Sequence, residues 1–233
     1  MTDEFEGMDF GLDDLDLDLD AFADESEAAL ENRYVKPRRF QHVKERAVKY
    51  DNAEALAAEV GTAIMDGERV DALVSGNFIF GDFLEAFAVS QNLKIQSARI
   101  STLSISQENV DSLRSLMTHG HIDNLDLIVS DYFWSHNRHN MKYVYDALDI
   151  DNRFQLAVAG IHTKTILLNA RGRKIIISGS ANLRSSRSVE MFTVETEPDL
   201  YDFHFEWQSR ILDRYATVKK SIRASALFDI LTE

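Results

Sequence analysis

Hydrophobic positions along the chain switch repeatedly between helical and strand-like spacing from about residue 51 onward. Leu56, Val60 and Ile64 recur every four residues, which predicts a helix that begins at a cap on Asp51 or Asn52 and ends near Met65. The remaining periodic and β-branched stretches predict helices at about 82–90, 106–120, 137–148, 199–217 and 222–231, and strands at 69–80, 93–103, 125–130, 153–160, 161–168, 174–178 and 190–196. Strands that alternate with helices predict an α/β fold, with a mixed, partly parallel sheet and helices on both of its faces.

The first 50 residues lack this periodicity and consist of an acidic segment followed by a basic one. Residues 1–31 hold 13 acidic residues and no Lys or Arg, which predicts a tail that is disordered in isolation. Residues 32–50 are basic, with Tyr34 and Phe40 among the basic residues. We therefore expect an acidic tail (1–31), a basic linker (32–50) and a folded domain (51–233). The tail fits a solubilising segment, a segment that folds on a protein partner, or a mimic that covers a basic site; the linker fits nucleic-acid contacts and pairing with the tail equally well.

Composition excludes several classes of protein and of site. The formal net charge is -14, but of the 39 acidic residues 13 lie in the tail, which leaves 26 acidic against 25 basic residues and a nearly neutral domain. Cysteine is absent, which excludes disulfides, thiolate metal sites and cysteine nucleophiles. No stretch approaches 18 consecutive apolar residues, and the N-terminus has no signal-like pattern. These features predict a soluble, cytoplasmic protein without a membrane partner.

Uncommon polar residues stand at fixed spacing between residues 154 and 196. His162 and Lys164 lie two apart in an apolar, β-branched run, so an extended backbone would place both side chains on the same side. The sequence Ala-Arg-Gly-Arg at 170–173 predicts a hairpin turn, and the apolar run at 174–178 predicts a buried strand. That strand leads into Gly179-Ser180-Ala181-Asn182, a turn of small residues that lets a ligand approach closely.

The charge pattern of the same region points to an anionic ligand. No Asp or Glu occurs from residue 152 to residue 189. The basic residues of this interval are Arg153, Lys164, Arg171, Arg173, Lys174, Arg184 and Arg187. In a protein that is acidic overall, this asymmetry predicts phosphate binding, with Arg171, Arg173, Arg184 and Arg187 as substrate-binding residues. The alternative interpretation is a β-hairpin with a solvated basic turn.

Other chemistries find less support in the sequence. His136 and His139 are three apart, but no third metal ligand follows at a suitable spacing, so no metal and no cofactor is predicted. The sequence at 179–182 is not the glycine-flanked elbow of a serine hydrolase. The glycines at 76 and 81 are not followed by the Lys-Ser/Thr pair of a nucleotide-binding loop.

The pattern His162-x-Lys164 followed by Gly179-Ser180-x-Asn182 resembles the HKD signature of the phospholipase D superfamily. Two positions depart from the family pattern: Asn169 stands where the family has Asp, and the Gly-Ser pair comes three residues later. The resemblance implies a phospholipase D-like mixed sheet. It also implies that Glu190 is the carboxylate that supports the histidine.

This family uses two such motifs to cleave a phosphodiester, whereas the present chain carries one. The resemblance therefore implies a symmetric homodimer in which two copies of His162 meet at one site, one as the nucleophile and the other as the general acid. Lys164 and Asn182 would hold the phosphoryl oxygens, with help from Ser180.

The small, single-motif members of the family favour a nuclease acting on DNA or RNA, in line with the basic flanks. Two alternatives stay open at this point. One is a catalytically inactive nucleic-acid-binding or scaffold module with the same fold, and the other is a phospholipase or phosphatidyltransferase.

Overall fold

The computed structural model describes residues 46–65, 69–74, 78–184 and 188–215. The predicted acidic tail, most of the basic linker, the predicted helix at 222–231 and Arg187 lie outside the described residues. Along the described chain the elements follow one another as α1 (Arg46–Met65), β1 (Val70–Val74), α2 (Phe80–Ser90), β2 (Ser97–Thr102), α3 (Gln107–Thr118), β3 (Leu125–Ser130), α4 (Asp131–His136), α5 (Arg138–Leu148), β4 (Phe154–Ala159), β5 (Thr165–Ala170), β6 (Arg173–Gly179), β7 (Glu190–Glu195) and α6 (Pro198–Tyr215).

The described strands form one mixed sheet in the order β1-β7-β6-β5-β2-β3-β4. The strands β2, β3 and β4 pair in parallel, each reached from the previous strand through helices, whereas β5, β6, β7 and β1 pair antiparallel. This is the partly parallel α/β sheet that the sequence predicts. The parallel half follows from long helical crossovers, whereas β5, β6 and β7 in the antiparallel half are joined by shorter connections whose described residues form no helix.

The two faces of the sheet are covered unequally. Ile100, Leu127 and Ile177 project into a large core that also contains buried residues of α1, α2, α3 and α5. Residues one position away on the strands, such as Ile128 and Ile176, pack instead against α6. Helices thus lie on both faces, as predicted, and α6 alone among the described helices covers the second face.

Most predicted elements lie where the periodicity places them, and the differences are local. α1 begins at Arg46, five residues before the predicted cap at Asp51, because residues 46–50 contain no proline or glycine that would stop the helix. β1 ends at Val74, residues 78 and 79 belong to no strand and Phe80 already opens α2, so the predicted strand over 69–80 is wrong at its end. Phe80, the last residue of that predicted strand, is instead a helix residue, and its ring centroid lies 5.6 Å from that of Phe83 on the same helix.

Within the described residues no helix is both long enough and apolar enough to cross a membrane. α1 is the longest described helix, with 20 residues, and α6, with 18 residues, is an amphipathic helix that carries charged residues along its outer side.

A buried arginine fastens α6 to the sheet. The guanidinium of Arg99, on β2, donates to Asp126 Oδ2 on β3 at 3.1 and 3.2 Å, to Ser209 Oγ at 2.6 Å and to the carbonyl of Phe205 at 3.2 Å. The side chains of Arg99 and Asp126 are only 11% and 20% exposed. The guanidinium also lies 4.1 Å from the centre of the Phe205 ring. Because the guanidinium of Arg99 donates hydrogen bonds to both the sheet and α6, it fixes the position of α6 against the sheet.

We expect Arg99→Ala to lower the free energy of unfolding by about 3 kcal/mol, because it leaves Asp126 without its charge partner in a largely buried position. Urea denaturation measures this loss. Arg210→Ala removes an exposed ion pair with Glu206 on the same helix and is the matched control, with an expected change within about 0.5 kcal/mol. Equal losses in the two variants would contradict the role assigned to Arg99.

Candidate functional site

The hairpin of β5 and β6 brings the two halves of the predicted motif to one edge of the sheet. Thr165, at the start of β5, pairs with Ser178, near the end of β6. The amide of Gly179 donates to the carbonyl of Lys164 at 3.3 Å. Residues 161–164 therefore lie beside residues 179–182. The parallel strands also end at this edge, and in open α/β sheets ligands bind outside the carboxyl ends of such strands.

His162 and Lys164 lie side by side just before β5. The structure places them in an extended segment that precedes the strand, so the predicted strand at 161–168 begins four residues late. The Nζ atom of Lys164 is 3.1 Å from Nδ1 of His162 and 3.2 Å from the carbonyl oxygen of the same residue. A protonated lysine can only donate, so the neutral imidazole that accepts at Nδ1 carries its proton on Nε2. The imidazole is exposed and open to a ligand.

Lys164 experiences two opposing influences. Partial burial lowers the pKa of its amine below the ordinary lysine value, and the negative charge of Glu190 offsets part of that shift. Glu190, at the start of β7, thus lies close enough to the amine to favour its charged form. Removing this carboxylate would lower the pKa of Lys164 further.

Glu190 and Ser180 form the opposite wall of the site. The hydroxyl of Ser180 donates to Oε2 of Glu190 in a short hydrogen bond. The amide of Met191 donates to Ser180 Oγ at 3.1 Å, and the amide of Ser180 donates to the carbonyl of Met191 at 2.9 Å. The Glu190 carboxylate that we expected beside His162 is hydrogen-bonded to Ser180 and acts on the site through its charge at Lys164.

Gly179 is required by this close approach of β6 and β7. A Cβ atom at Gly179 would lie 2.1 Å from the carbonyl oxygen of Met191 and 2.6 Å from Cα of Phe192, both backbone atoms. Any side chain would push Ser180 away from Glu190. In the Gly-Ser pair of the motif, the glycine is therefore required for packing and the serine supplies the hydrogen bond to Glu190.

Asn182 is positioned by the loop that follows β2. Its Oδ1 accepts from the amide of Leu103 at 3.3 Å, which leaves the amide nitrogen Nδ2 to donate to a ligand. The next residue, Leu183, donates its amide to Oγ1 of Thr102 at 3.2 Å. Thr102 and Leu103 were missed by the sequence analysis, because they lie about 80 residues before Asn182 and no local pattern links them.

The four predicted arginines do not share one location. Arg171 forms the β5–β6 turn with Gly172, with positive φ at both residues (53° and 85°), and Arg173 follows it. This turn lies at the opposite end of the hairpin, about 20 Å from Thr165, the first residue of β5, at 3.3 Å per strand residue. Arg171 and Arg173 therefore lie away from the edge that carries His162, and their assignment as substrate-binding residues stays a prediction.

Of the predicted substrate-binding arginines that the structure describes, Arg184 lies beside the motif. It lines a shallow depression together with Asn182 and Glu190. It also borders a neighbouring open groove of about 410 Å³ beside the start of α3, lined by Ser106, Asp111 and Asn140 among others. Arg184 thus lies between the motif and an adjoining surface that is large enough for a ligand longer than a single phosphate.

The described residues contain no group of three or more His, Asp or Glu side chains that could hold a metal ion. The ring of His136 lies 4.2 Å from that of Tyr132 between centroids, and its Nδ1 is 2.8 Å from the Tyr132 carbonyl oxygen. These contacts give His136 a structural role within α4.

Asn169 belongs to the turn and not to the site. Its Oδ1 accepts from the amide of Gly172 at 3.1 Å, and in the sheet it pairs with Lys174. The departure from Asp at this position therefore changes a turn-stabilising side chain at the far end of β5. An asparagine accepts this bond as an aspartate would.

No family model matches the sequence, and no curated protein matches it. Solved structures with a similar fold include Nuc from Salmonella typhimurium, with 14% identity, a TM-score of 0.48 and coverage of 64% of this chain and 97% of that one. NucT from Helicobacter pylori gives 15% identity, a TM-score of 0.48 and coverage of 64% and 99%. Polyphosphate kinase from Porphyromonas gingivalis gives 13% identity, a TM-score of 0.47 and coverage of 64% of this chain and 26% of that one. Nuc is described as a phospholipase D family member, the family that the His162 motif resembles.

The two ends of the hairpin are expected to respond differently to substitution. Asn169→Ala should lower the free energy of unfolding by about 1 kcal/mol, because the Gly172 amide loses its acceptor, without changing the affinity for inorganic phosphate. Lys164→Ala should leave stability within about 0.5 kcal/mol and weaken phosphate binding about tenfold, the cost of one charge-assisted hydrogen bond. Urea denaturation and calorimetric titration measure the two quantities. Loss of phosphate binding in Asn169→Ala would contradict this division.

Proposed function

We propose that this protein is a phosphodiesterase, a metal-independent endonuclease that cleaves DNA or RNA through a phosphohistidine intermediate at a homodimer interface. The observation that carries the proposal is the grouping of an exposed His162 with Lys164 and Asn182 at one open edge of the sheet. A nucleophilic nitrogen and two donors for phosphoryl oxygens are the groups that displacement at phosphorus needs.

In the first step Nε2 of His162 forms a bond to phosphorus as the bond from phosphorus to the leaving oxygen breaks. The leaving oxygen takes its proton from the imidazolium of His162 of the partner subunit. In the second step water attacks phosphorus and gives a proton to that second imidazole, which is now neutral, while the nitrogen–phosphorus bond breaks. The two rings must hold different protonation states at once.

Lys164 has a defined part in preparing the nucleophile. In the structure the amine of Lys164 contacts Nδ1 of His162, which keeps the ring proton on Nε2. Attack through Nε2 needs the proton on Nδ1 instead. A bound phosphate offers Lys164 a negatively charged acceptor, so substrate binding draws the amine from the ring to a phosphoryl oxygen and allows the ring to change tautomer.

A homodimer is proposed because one chain supplies one His162 and the scheme needs two. An isologous interface places the same residue of both chains at the two-fold axis. The exposure of the His162 imidazole leaves it accessible to a second copy.

A nucleic-acid substrate is proposed from charge and from the shape of the surface. The interval from residue 152 to residue 189 has no acidic residue, and the part of the chain beyond residue 31 is nearly neutral. Arg184 lies between the motif and the open groove, where it would contact a phosphate next to the one that is cleaved. A polyanion with successive phosphates uses both positions.

Purified protein is expected to cleave labelled DNA or RNA at low salt in EDTA, because the scheme uses no metal. His162→Ala should lose at least about 1,000-fold in rate, since it lacks both the nucleophile and the general acid. Gel analysis of single- and double-stranded substrates measures cleavage. Complete loss of activity in EDTA would contradict the mechanism, and tight binding without cleavage would favour the non-catalytic module.

The shared site can be tested by mixing. When wild-type and His162→Ala chains are unfolded together and refolded at varying ratios, activity should fall with the square of the wild-type fraction, because a mixed dimer has one histidine for two roles. A linear decrease would show that each chain acts alone. Mixing with the Arg210→Ala variant, which changes an exposed residue of α6, is the control and should leave activity unchanged.

Glu190→Gln should move the alkaline limb of kcat/KM to lower pH. Catalysis uses the protonated amine of Lys164, so activity is lost as the pH rises through the pKa of that amine. The Glu190 charge raises this pKa, and its removal lowers it further. A pH–rate profile with a chromogenic phosphodiester measures the shift. An unchanged or more alkaline limb would contradict the role of Glu190.

A further inference from the structure

A chain of polar side chains supports the His162 segment from behind. Thr163 Oγ1 donates to Ser101 Oγ at 3.2 Å, and Nε2 of Gln208 donates to the same oxygen at 3.3 Å. Thr163 is the residue between His162 and Lys164, Ser101 lies on β2, and Gln208 lies on α6. We propose that Gln208 is a positioning residue that, through Ser101 and Thr163, holds His162 and Lys164 in place for the reaction; this inference rests on the proposed function.

The alternation of an extended backbone explains why Thr163 has this task. Side chains one residue apart project to opposite sides, and side chains two apart project to the same side. His162 and Lys164 contact each other on one side. The hydroxyl of Thr163 reaches the other side, where Ser101 and α6 lie. A restraint on Thr163 therefore acts on both functional neighbours without occupying the space that a ligand needs.

Ser101 is the hub of this arrangement, and its hydrogen-bonding capacity is fully used. Its hydroxyl donates to the carbonyl of Thr165 at 3.4 Å and accepts from Thr163 and Gln208. A hydroxyl has one proton to donate and two lone pairs, so these three bonds leave it a single orientation. Networks of this kind are stronger than their separate bonds, because each bond polarises the next.

The segment that carries His162 depends on such a restraint. Residues 161–164 lie outside the strand ladder, between β4 and β5. Backbone bonds fix its two ends, from the amide of Ile161 to the carbonyl of Ala159 at 2.8 Å and from the amide of Gly179 to the carbonyl of Lys164 at 3.3 Å. Between these ends the hydroxyl of Thr163 links the segment to the sheet.

Gln208 is an unexpected residue at a contact between a helix and a sheet. It is 0% exposed, and glutamine is rarely buried completely. Within the described part of the chain its Oε1 has no hydrogen-bond partner, so the amide serves the single bond to Ser101. The Arg99 contacts to Phe205 and Ser209, on either side of Gln208 along α6, hold the amide against the sheet. An apolar side chain would pack here without the cost of a buried amide, so the benefit of glutamine lies in the bond that it donates.

The first test removes the hydroxyl of Thr163. Thr163→Val should lower kcat at least about tenfold, because small displacements of reacting groups cost up to about 100-fold, and should change KM less than about threefold. Thr163→Ser keeps the hydroxyl and should restore kcat to within about twofold. Thr62→Val, which removes an exposed hydroxyl bonded to the carbonyl of Ala58 on α1, is the control and should match the wild type. An unchanged kcat in folded Thr163→Val would overturn the inference.

The second test asks whether Gln208 and Thr163 act through the same hydroxyl. Gln208→Met conserves the size of the side chain and removes its donor, and should lower kcat as Thr163→Val does. The double variant should be no slower than the slower single variant, because both substitutions disable one path. If the losses of kcat in the two single variants add fully in the double variant, the two residues do not act through the same hydroxyl, and the inference is overturned. Gln155→Met, on β4, is the matched control and should retain wild-type kcat.

A third measurement separates this inference from the proposed function. Amide hydrogen exchange of a peptide that spans residues 161–164 should be faster in Thr163→Val and Gln208→Met than in the wild type and in both controls. If the wild type cleaves no phosphodiester but exchange responds in this way, the proposed function fails and the positioning network stands. If the wild type cleaves and neither kcat nor exchange changes in the variants, the network fails and the proposed function stands.

Discussion

The register between β5 and β6 is the constraint on which the site depends. The turn has two residues, Arg171 and Gly172, and a two-residue turn with positive φ at both positions sets how the flanking strands pair. Thr165 then lies opposite Ser178, so the segment before β5 and the segment after β6 leave the sheet together. A slip of one residue would turn Lys164 away from the site and put Thr163 in its place.

The close contact between β6 and β7 adds the third part of the site to this pair. It exists because Gly179 has no side chain, and it places Ser180 against Glu190. Glu190 then acts on Lys164 at a distance, by its charge, while burial acts on the same amine in the opposite direction. The protonation of Lys164 is thus set by the balance of two influences that come from different strands.

The two faces of the sheet have different tasks. One face is covered by helices α1 to α5 of the described chain and forms a large apolar core, which supplies most of the hydrophobic stabilisation. The other face carries α6, with two small apolar clusters and a series of polar contacts through Arg99 and Gln208. Polar contacts of this kind contribute less to stability than apolar packing, but they are directional. They suit a face that must hold the segment of His162 in one position.

The sequence by itself determined the fold class, most helices and strands, and the residues of the motif. These follow from local periodicity and from spacing within one hairpin, and both can be read along the chain. Tertiary structure decided the rest, because it depends on which distant residues become neighbours. It places Arg171 and Arg173 away from Arg184, and it brings Glu190 within hydrogen-bond distance of Ser180. It leaves the side chain of Asn169 bonded to the β5–β6 turn. It also brought Ser101 and Gln208 behind Thr163 from about 60 residues before it and 45 residues after it, and a contact across that separation leaves no periodic trace in the sequence.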